Sequence, residues 1–479
     1  MTPHSRWCVV ANVPVPGLAP AALHADLGGV QAYYRGPLGA VLPADPPFVL
    51  DVRTMSVVPG EAPDAEAAAD GARPGPPGGA TVLRADADAV TVRVSALSED
   101  PLYFAANRLC GRFAYFTDLL LAALVLPALG LPVEVQPHPE PGLVRGVRRL
   151  PHSATARTYR TAGGWVNEVR DEPDPLDGFR APHRRDPVAA GEAQIQALSE
   201  EIARIGATAP AGCATLLSGG IDSGTVTWLA AAGGLSVAPY SVATPWGDEL
   251  DDAAELCAEA GLTLHPVHLT EEEIVSSIPE AIRWLGCAEP EVVEVALTAT
   301  AVQRTGAVPG ERVLITGYGS DLINAGLYRP YTRPEELTGQ VLAAVDATRR
   351  TGELSRRMAL AYGTAVSHPF WSWPVMRVAL ETAPECKVVD GREKYHLRTA
   401  MATRVPAAVA WRRKIAVHHG GGLQQGVVRR LEKETGSRDR HTLYRACFAE
   451  LLDLAAESSF DAPDPAVLLT RAITRATGS

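Results

Sequence analysis

Hydrophobic and polar positions alternate in two different ways along this chain, and the change comes near residue 185. Before it, short runs alternate with a period of two, as in Val90–Val94, where three valines fall on one face. Trp7–Val10 is a second strand-like run, whereas Asp118–Ala128 has a helical pattern. The first part of the chain is therefore predicted to be of the α+β class, built mainly from short strands.

From residue 188 onward, helical and strand-like runs alternate. Val188–Ile205 has an apolar stripe at helical spacing, and a series of shorter runs follows it. Such alternation predicts an α/β fold with a mainly parallel sheet, whose ligands lie at the carboxyl ends of the strands. The predicted strands are Ala214–Leu217, Leu235–Val242, Thr263–Leu269 and Arg312–Thr316, and the next predicted helices are Thr225–Ala232 and Glu249–Ala260.

The segment between the two patterns is rich in proline and charge. It covers Asp171–Pro187 and reads DEPDPLDGFRAPHRRDP, which favours a linker. We therefore expect two domains, residues 1–187 and 188–479. A second run of similar composition, Pro59–Ala80, is predicted to be a flexible loop inside the first domain.

Composition and charge exclude several classes of function. The 479 residues carry a formal net charge of −11, which argues against a nucleic-acid partner. The most apolar stretch, Leu119–Leu131, is too short to span a bilayer, so no membrane partner is expected. The seven cysteines form no CxxC pair, which favours reduced thiols in a cytoplasmic protein. The sequence leaves the oligomeric state open, with a homo-oligomer as one alternative.

One glycine turn carries the strongest chemical signal. Ala214–Trp228 reads ATLLSGGIDSGTVTW, an apolar run followed by a glycine turn and a helical pattern. That order directs backbone N–H groups and a helix N-terminus toward a phosphate, and Asp222 adds a carboxylate suited to Mg²⁺. The turn lacks the Gly-Lys-Ser/Thr ending of a Walker loop. It resembles the loop of the ATP pyrophosphatases, which implies ATP as a substrate; a degenerate loop is the alternative.

A second strand-end turn carries another carboxylate. Gly317–Asp321 follows the predicted strand Arg312–Thr316, so Asp222 and Asp321 can hold Mg²⁺ on a triphosphate. The alternative for Asp321 is a helix N-cap. The residues of these loops and of the neighbouring strand that are expected to bind ATP or diphosphate are Leu217, Ser218, Gly219, Gly220, Asp222, Ser223, Ser241, Val242 and Gly317.

Four segments together resemble the β-lactam synthetases and carbapenam synthetases, relatives of asparagine synthetase B. They are VLITGYGSDL, TGELS, GREKYHLRTAM and WRRKIAVHHGG. The resemblance implies that Tyr318, Glu353 and Lys414 are catalytic and that Lys394 faces phosphate. Singly, each could be an ordinary packing or surface residue.

The sequence departs from its relatives at several positions. Asparagine synthetases have glutamate at the position of Tyr318, and Gly224 replaces the second serine of the usual SGGIDSS. Arg349 and Arg350 precede Glu353, which argues against a substrate that carries a guanidinium group.

The first domain resembles, in pattern, a glutaminase-type Ntn-hydrolase domain. Pro101–Phe104 matches the PLYY strand of the asparagine synthetases. That family hydrolyses glutamine with an N-terminal cysteine, whereas this chain begins Met1-Thr2-Pro3 and its Cys8 lies in a strand-like run. We therefore expect a degenerate β-sandwich scaffold, and an attacking amine that does not come from glutamine.

The leading hypothesis is an ATP-dependent ligase that forms AMP and diphosphate and closes a β-lactam ring. It would act on a small β-amino acid in antibiotic or other secondary-metabolite biosynthesis. The alternatives are intermolecular amide formation with ammonia or another amine, closure of a peptide as in lasso-peptide cyclases, and an inactive scaffold homologue.

Overall fold

The chain forms a mixed α/β structure in this computed structural model, which describes residues 6–37, 40, 42, 47–57, 79–97, 99–136, 142–330, 332–353, 355–412, 422–457 and 464–478. The loop predicted over Pro59–Ala80 lies outside these residues, apart from its last two positions. Strands dominate up to residue 171, and helices with one parallel sheet follow.

Two antiparallel sheets of six strands make up the N-terminal part. The first sheet has the order β10-β8-β9-β1-β3-β2 and the second the order β12-β11-β7-β6-β4-β5. The strands are β1 Trp7–Ala11, β2 Leu23–Asp26, β3 Gln31–Arg35, β4 Phe48–Asp51, β5 Ser56–Val57, β6 Val82–Ala85, β7 Ala89–Val94, β8 Tyr103–Asn107, β9 Arg112–Phe116, β10 Val147–Arg149, β11 Ala154–Thr161 and β12 Gly164–Asp171.

Burial explains the two strand patterns of this part. The three valines of β7 are buried on one face, as the alternation predicts. By contrast, all five residues of β1 are buried because the first sheet is covered on both faces. Cys8 and Val10 contact the second sheet, whereas Trp7 and Val9 contact helices. Burial raises the pKa of the Cys8 thiol, so this residue is the core thiol that the sequence predicts.

The third sheet is parallel apart from one edge strand, which confirms the predicted sheet. Its order is β15-β14-β13-β17-β18, and β16 also pairs with β14. The strands are β13 Cys213–Leu216, β14 Val237–Thr244, β15 Gly247–Asp248, β16 His265–His268, β17 Val313–Ile315 and β18 Ala365–Ser367. The run predicted over Leu235–Val242 begins and ends two residues later, because Leu235 still closes the preceding turn by a bond to Ala230.

Helices cover this sheet and extend over the first one. They are α1 Ala122–Leu129, α2 Pro187–Gly206, α3 Ile221–Ala232, α4 Leu250–Glu259, α5 Glu271–Val275, α6 Ile278–Leu285, α7 Pro290–Thr305, α8 Ser320–Ile323, α9 Pro334–Arg349, α10 Arg357–Ala361, α11 Trp373–Glu381, α12 Pro384–Lys387, α13 Tyr395–Met401, α14 Ala407–Ala410, α15 Leu423–Thr435, α16 Arg440–Ala456 and α17 Pro465–Thr477. None of the described helices combines the length and apolarity needed to cross a membrane.

The segment predicted to be a linker contains regular structure and contacts helix α11. Strand β12 continues to Asp171, a 3₁₀ helix covers Pro175–Phe179, and Asp186 caps α2 through two backbone N–H groups. Arg184 donates to Glu381 on α11 at 2.9 Å. Proline and charge here supply helix caps and ion pairs rather than flexibility.

One hydrophobic cluster crosses from the N-terminal to the C-terminal part. It joins Phe116 and Leu126 of the first part to Ile282, Phe448 and Leu469 of the second. Helix α16 packs on α1 within this cluster. The two parts therefore share a core, in addition to the cluster that lies between the two antiparallel sheets.

Candidate active site

The phosphate loop, residues 217–220, lies between β13 and α3 at the carboxyl edge of the parallel sheet. Leu217 N–H donates to the Tyr240 carbonyl at 2.8 Å, which keeps the loop on β14. Gly219 has a φ of +68°, and a Cβ there would lie 2.4 Å from the Cβ of Asp252. Glycine is therefore required for both conformation and space.

Helix α3 begins at Ile221, four residues earlier than predicted. Asp222 and Ser223 thus belong to its first turn, where unpaired N–H groups and the helix dipole favour an anion. Ser218 N–H donates to the Ser223 hydroxyl at 3.1 Å, and the two hydroxyls are also 3.1 Å apart. The predicted serine donors are therefore close enough to contact one phosphate group.

The tyrosine loop, residues 316–319, follows β17 and touches the phosphate loop's helix. A Cβ on Gly317 would lie 2.5 Å from the Ser223 nitrogen, so only glycine permits this contact. Because β17 is the direct neighbour of β13, the parallel sheet places the two strand ends together. Asp222 and Asp321 accordingly face each other across the sheet edge.

Lys394 lies between these two aspartates. Its Nζ contacts Asp222 Oδ2 and lies 2.6 Å from Asp321 Oδ1, and its side chain is 0% exposed. The residue starts α13 with a φ of +58°, a left-handed conformation that is costly for lysine. A Cβ on Gly326 would overlap Asp321 and Lys394, so that glycine keeps the space for the pair.

The donor set around Lys394 fits a magnesium ion. Asp222 and Asp321 supply carboxylate oxygens from two strand ends, and Mg²⁺ takes one or two carboxylates with phosphate oxygens and water. Both carboxylates contact the Lys394 ammonium, so their oxygens already surround a positive charge. The side chain predicted to face phosphate therefore shares its position with the predicted metal ligands.

Tyr318 and Glu353 form a hydrogen-bonded pair. The Tyr318 hydroxyl donates to Glu353 Oε2 at 2.7 Å. Burial and the neighbouring carboxylate raise the pKa of Tyr318 well above its usual value, so the phenol stays protonated at neutral pH. Burial also raises the pKa of Glu353, which makes this carboxylate a better proton acceptor than an exposed glutamate.

Two further residues hold Tyr318. Its N–H donates to Thr316 Oγ1 at 3.2 Å, and that oxygen lies 2.7 Å from His368 Nδ1. Burial lowers the pKa of His368 to about 3, so its ring is neutral. The histidine therefore acts here as a neutral hydrogen-bonding partner.

The family model for asparagine synthase matches residues 196–356 and 352–473, more than half of the chain. The chain belongs to the asparagine synthase family. It is similar to the carboxyethyl-arginine beta-lactam-synthase of Streptomyces clavuligerus, with 30% identity over 244 residues that cover 50% of this chain and 46% of that protein. It is also similar to the glutamine-hydrolyzing asparagine synthetase B of Escherichia coli, with 25% identity over 302 residues, 54% of each chain.

The chain thus spans about half the length of the curated relatives it matches. The expected resemblance to β-lactam synthetases and asparagine synthetases is confirmed by these matches. Each match concerns what the chain is similar to, and the roles of individual residues remain predictions.

The departure at Gly224 from the usual family motif has a packing reason. A Cβ at this position would lie 2.6 Å from Cδ1 of Leu256, a buried residue of α4. Glycine therefore lets α4 pack closely against the first turn of α3, where a serine would displace Leu256. The loss of one hydroxyl is coupled to this closer helix contact.

Arg349 and Arg350 pair with carboxylates other than Glu353, which removes the argument drawn from their position in the sequence. Arg349 is 2% exposed and pairs with Asp174 at 2.7 Å and with Asp346 at 2.8 Å. Arg350 pairs with Asp346 at the surface. Since neither guanidinium reaches the pair of Tyr318 and Glu353 in the described contacts, these arginines are no argument against a guanidinium-bearing substrate.

The remaining predicted residues differ in how well they can be placed. Ser241 and Val242 lie in the last half of β14, the strand beside the phosphate loop, and Ser241 is 1% exposed. Lys414 lies outside the described residues. Arg412 donates to the Gly219 and Asp252 carbonyls at 3.1 Å each, so this side chain contacts the phosphate loop.

Sequence reasoning missed a buried polar network behind the site. Gln194 on α2 donates to Asn324 Oδ1 at 2.9 Å, and Asn324 donates to the Ser320 hydroxyl at 3.1 Å. His396 Nε2 lies 3.0 Å from Gln194 Oε1. The network joins α8, which carries Asp321, to α13, which Lys394 begins. The only available signal was the presence of these polar types between apolar positions.

Proposed function

We propose that this member of the asparagine synthase family is an ATP-dependent carbon–nitrogen ligase that closes a β-lactam ring. The observation that carries the proposal is the 2.7 Å hydrogen bond from Tyr318 to Glu353, beside the loops suited to ATP. The matched beta-lactam-synthase supports the same reading. In this proposal the parallel sheet is of the ATP-pyrophosphatase type, and the two antiparallel sheets are a degenerate glutaminase-type sandwich.

In the first proposed step, a substrate carboxylate oxygen attacks the α-phosphorus of ATP. A bond forms between that oxygen and phosphorus, and the bond to the bridging oxygen of diphosphate breaks. Ser218, Ser223 and the first N–H groups of α3 hold the diphosphate, while Lys394 balances part of its charge. The product is an acyl-adenylate.

In the second proposed step, an amine of the same molecule attacks the adenylated carbonyl. The carbon–nitrogen bond forms and AMP leaves. Tyr318 passes its proton to Glu353 and takes the proton that the amine loses, a relay that its hydrogen bond prepares. Lys414 is proposed to stabilise the oxyanion, an effect worth about 3 kcal/mol. Proximity favours closure because both reacting groups belong to one substrate.

Magnesium is proposed to lie beside Asp222 and Asp321. When bound, it would neutralise charge on the triphosphate. Both carboxylates are already oriented toward one point, where Lys394 contacts them. Lys394 would share the charge of the phosphates with the ion.

The proposed substrate is a small β-amino acid, such as an N-(2-carboxyethyl) amino acid, rather than a macromolecule. Arginine derivatives belong in the first panel, because Arg349 and Arg350 bind elsewhere. The seven cysteines, all of them free thiols, support a cytoplasmic location. We place the reaction in secondary-metabolite biosynthesis.

The test is to incubate the protein with ATP and N-(2-carboxyethyl)arginine, followed by other N-(2-carboxyethyl) amino acids. Mass spectrometry should detect loss of one water from the substrate with one AMP formed per product. If AMP forms only when ammonia or another amine is added, the protein is an intermolecular amide ligase and ring closure is wrong. If no candidate carboxylate supports exchange between ATP and diphosphate, the ligase assignment fails.

A further inference from the structure

The loop between α9 and α10, here called the Glu353 loop, is held by the N-terminal part of the chain on both sides of Glu353. It begins at Arg350 and ends at Arg356. The contacts at its two ends come from Arg149, the last residue of β10, and from Glu99 and Asp100, just before β8. The proposed reaction gives the N-terminal part no chemical role, so these contacts with the Glu353 loop are unexpected.

Before Glu353, Arg149 fixes the end of α9. Its guanidinium donates to the Arg350 carbonyl at 2.7 Å and to the Arg349 carbonyl at 3.1 Å. The last carbonyls of a helix have no partner within the helix, and a positive charge there also favours the helix dipole. Arg149, the last residue of β10, therefore determines where α9 stops and where the Glu353 loop starts.

After Glu353, Asp100 fixes the start of α10. This aspartate is 3% exposed, and its Oδ1 accepts from the Ser355 hydroxyl at 3.1 Å and from the Arg356 N–H at 3.4 Å. Its neighbour Glu99 pairs with the Arg356 guanidinium at 3.1 Å. The following carbonyl, that of Pro101, accepts from Arg357 at 2.5 Å.

The inner side of the Glu353 loop contacts the end of helix α6. A Cβ on Gly352 would lie 2.4 Å from the Leu285 carbonyl oxygen, so the backbone next to Glu353 rests directly on the end of α6. Arg149 at one end, Asp100 at the other and α6 behind therefore restrain the described residues on both sides of Glu353. The 2.7 Å bond to Tyr318 is then set by these contacts.

We propose that the N-terminal part is a clamp that positions Glu353 for proton transfer, with Arg149 and Asp100 as its positioning residues. The inference rests on the proposed function, in which Glu353 acts in ring closure and not in adenylation. Neither residue touches the substrate. Their loss should therefore slow the second step and leave the first unchanged, because the phosphate loop makes no described contact with them.

The test compares four variants of the full chain with one control. Asp100→Ala and Arg149→Met remove the contacts at the two ends of the loop, and Ser355→Ala removes a single hydroxyl and so disturbs the fold least. Asp100→Asn keeps an Oδ1 that can accept both hydrogen bonds, so it should restore what Asp100→Ala loses. The control is Arg184→Met, which breaks the ion pair with Glu381 at 2.8 Å, an attachment that does not involve the Glu353 loop.

The first measurement is hydrogen–deuterium exchange, which needs no substrate. Asp100→Ala, Arg149→Met and Ser355→Ala should speed exchange in the peptide that covers residues 351–357, whereas Asp100→Asn and Arg184→Met should not. Unchanged protection of this peptide in all three loss variants would overturn the clamp. That result stands whether or not the protein turns over any substrate.

The second measurement separates the two chemical steps, with ATP and N-(2-carboxyethyl)arginine as the probe. Asp100→Ala and Arg149→Met should reduce single-turnover ring closure by about 10²-fold, the cost of a displacement near 1 Å, while exchange between ATP and diphosphate is kept. An equal loss of both steps would mean that the contacts only stabilise the fold. If the wild-type protein itself does not cyclise the probe or its analogues, the proposed function fails, and the hydrogen–deuterium exchange result alone decides the clamp.

Discussion

At the scale of single residues, the candidate site contains two separate groups of polar side chains. The buried Lys394 and the two aspartates that it contacts form a charged group at the edge of the parallel sheet. Tyr318 and Glu353 form a second group whose bond is 2.7 Å long. The two groups are linked through the backbone. Gly317 contacts the first turn of α3, which carries Asp222, and Tyr318 is the next residue after Gly317.

Replacing Tyr318 by phenylalanine should affect only the second step. The ring keeps its packing, but the proton relay to Glu353 is lost. We expect ring closure to slow by about 10²–10⁴-fold, the usual contribution of general acid–base catalysis. Exchange between ATP and diphosphate should persist. A rapid-quench experiment on a single turnover checks this prediction, because acyl-adenylate should accumulate. A parallel loss of ATP–diphosphate exchange would instead assign Tyr318 to adenylation.

The pH dependence of ring closure should report Glu353. The carboxylate accepts a proton only when ionised, so the rate rises as pH increases through its pKa. Burial raises that pKa, so the acid limb should lie above the range of an ordinary glutamate. The limb should disappear in Glu353→Gln and be absent from the exchange reaction. An identical limb in Glu353→Gln would show that another group controls it.

Asp222 and Asp321 could be predicted from glycine turns and paired carboxylates, which have direct chemical meaning, whereas Tyr318, Glu353 and Lys394 were predicted from the family resemblance. Their partners could not be predicted. Nothing in the sequence places Arg149 beside α9 or Gln194 beside Asn324, since each contact joins positions far apart in the chain. For the same reason, the position of Arg349 in the sequence did not reveal its pairs with Asp174 and Asp346.

At the scale of elements, the site depends on close contact between two strand ends. Strands β13 and β17 are direct neighbours, and Gly317 brings the tyrosine loop onto α3. The order of strands and helices was predictable from the pattern, whereas the early start of α3 at Ile221 was not, because Asp222 and Ser223 suit either a turn or a first helical turn.

Gly317→Ala should therefore disturb the site. The new Cβ would lie 2.5 Å from the Ser223 nitrogen, so the loops must separate. We expect a loss of stability of about 1–3 kcal/mol from overpacking and a strong loss of ATP–diphosphate exchange.

The matched control is Gly339→Ala on α9, where no atom lies within 4 Å of the new Cβ. That variant should gain about 0.4–1 kcal/mol, measured by urea unfolding. Normal exchange in Gly317→Ala would contradict the proposed contact.

At the scale of the whole molecule, the two parts are joined by a shared core. Phe116 and Leu126 pack in the same cluster as Ile282 and Phe448. The segment predicted as a linker, Asp171–Pro187, contains a 3₁₀ helix over Pro175–Phe179 and the pair of Arg184 with Glu381. Composition alone cannot distinguish a free proline-rich segment from one whose charges find partners.

This shared core predicts a single unfolding transition. Differential scanning calorimetry of the full chain should give one peak, because separating the two parts would expose apolar surface of α1, α6 and α16. A fragment covering residues 188–479 should aggregate or remain unfolded for the same reason. Two resolved transitions, or a stable and soluble fragment, would contradict a common core.

The most direct test of the central claim follows the oxygen atoms of the substrate. N-(2-carboxyethyl)arginine, or whichever analogue the protein turns over, is labelled with oxygen-18 in both oxygens of its carboxyethyl group and incubated with ATP. If the carboxylate is adenylated and the internal amine closes the ring, one labelled oxygen appears in AMP and the other stays in the lactam carbonyl. Label in phosphate or diphosphate, or label in AMP only when an external amine is supplied, would contradict the account.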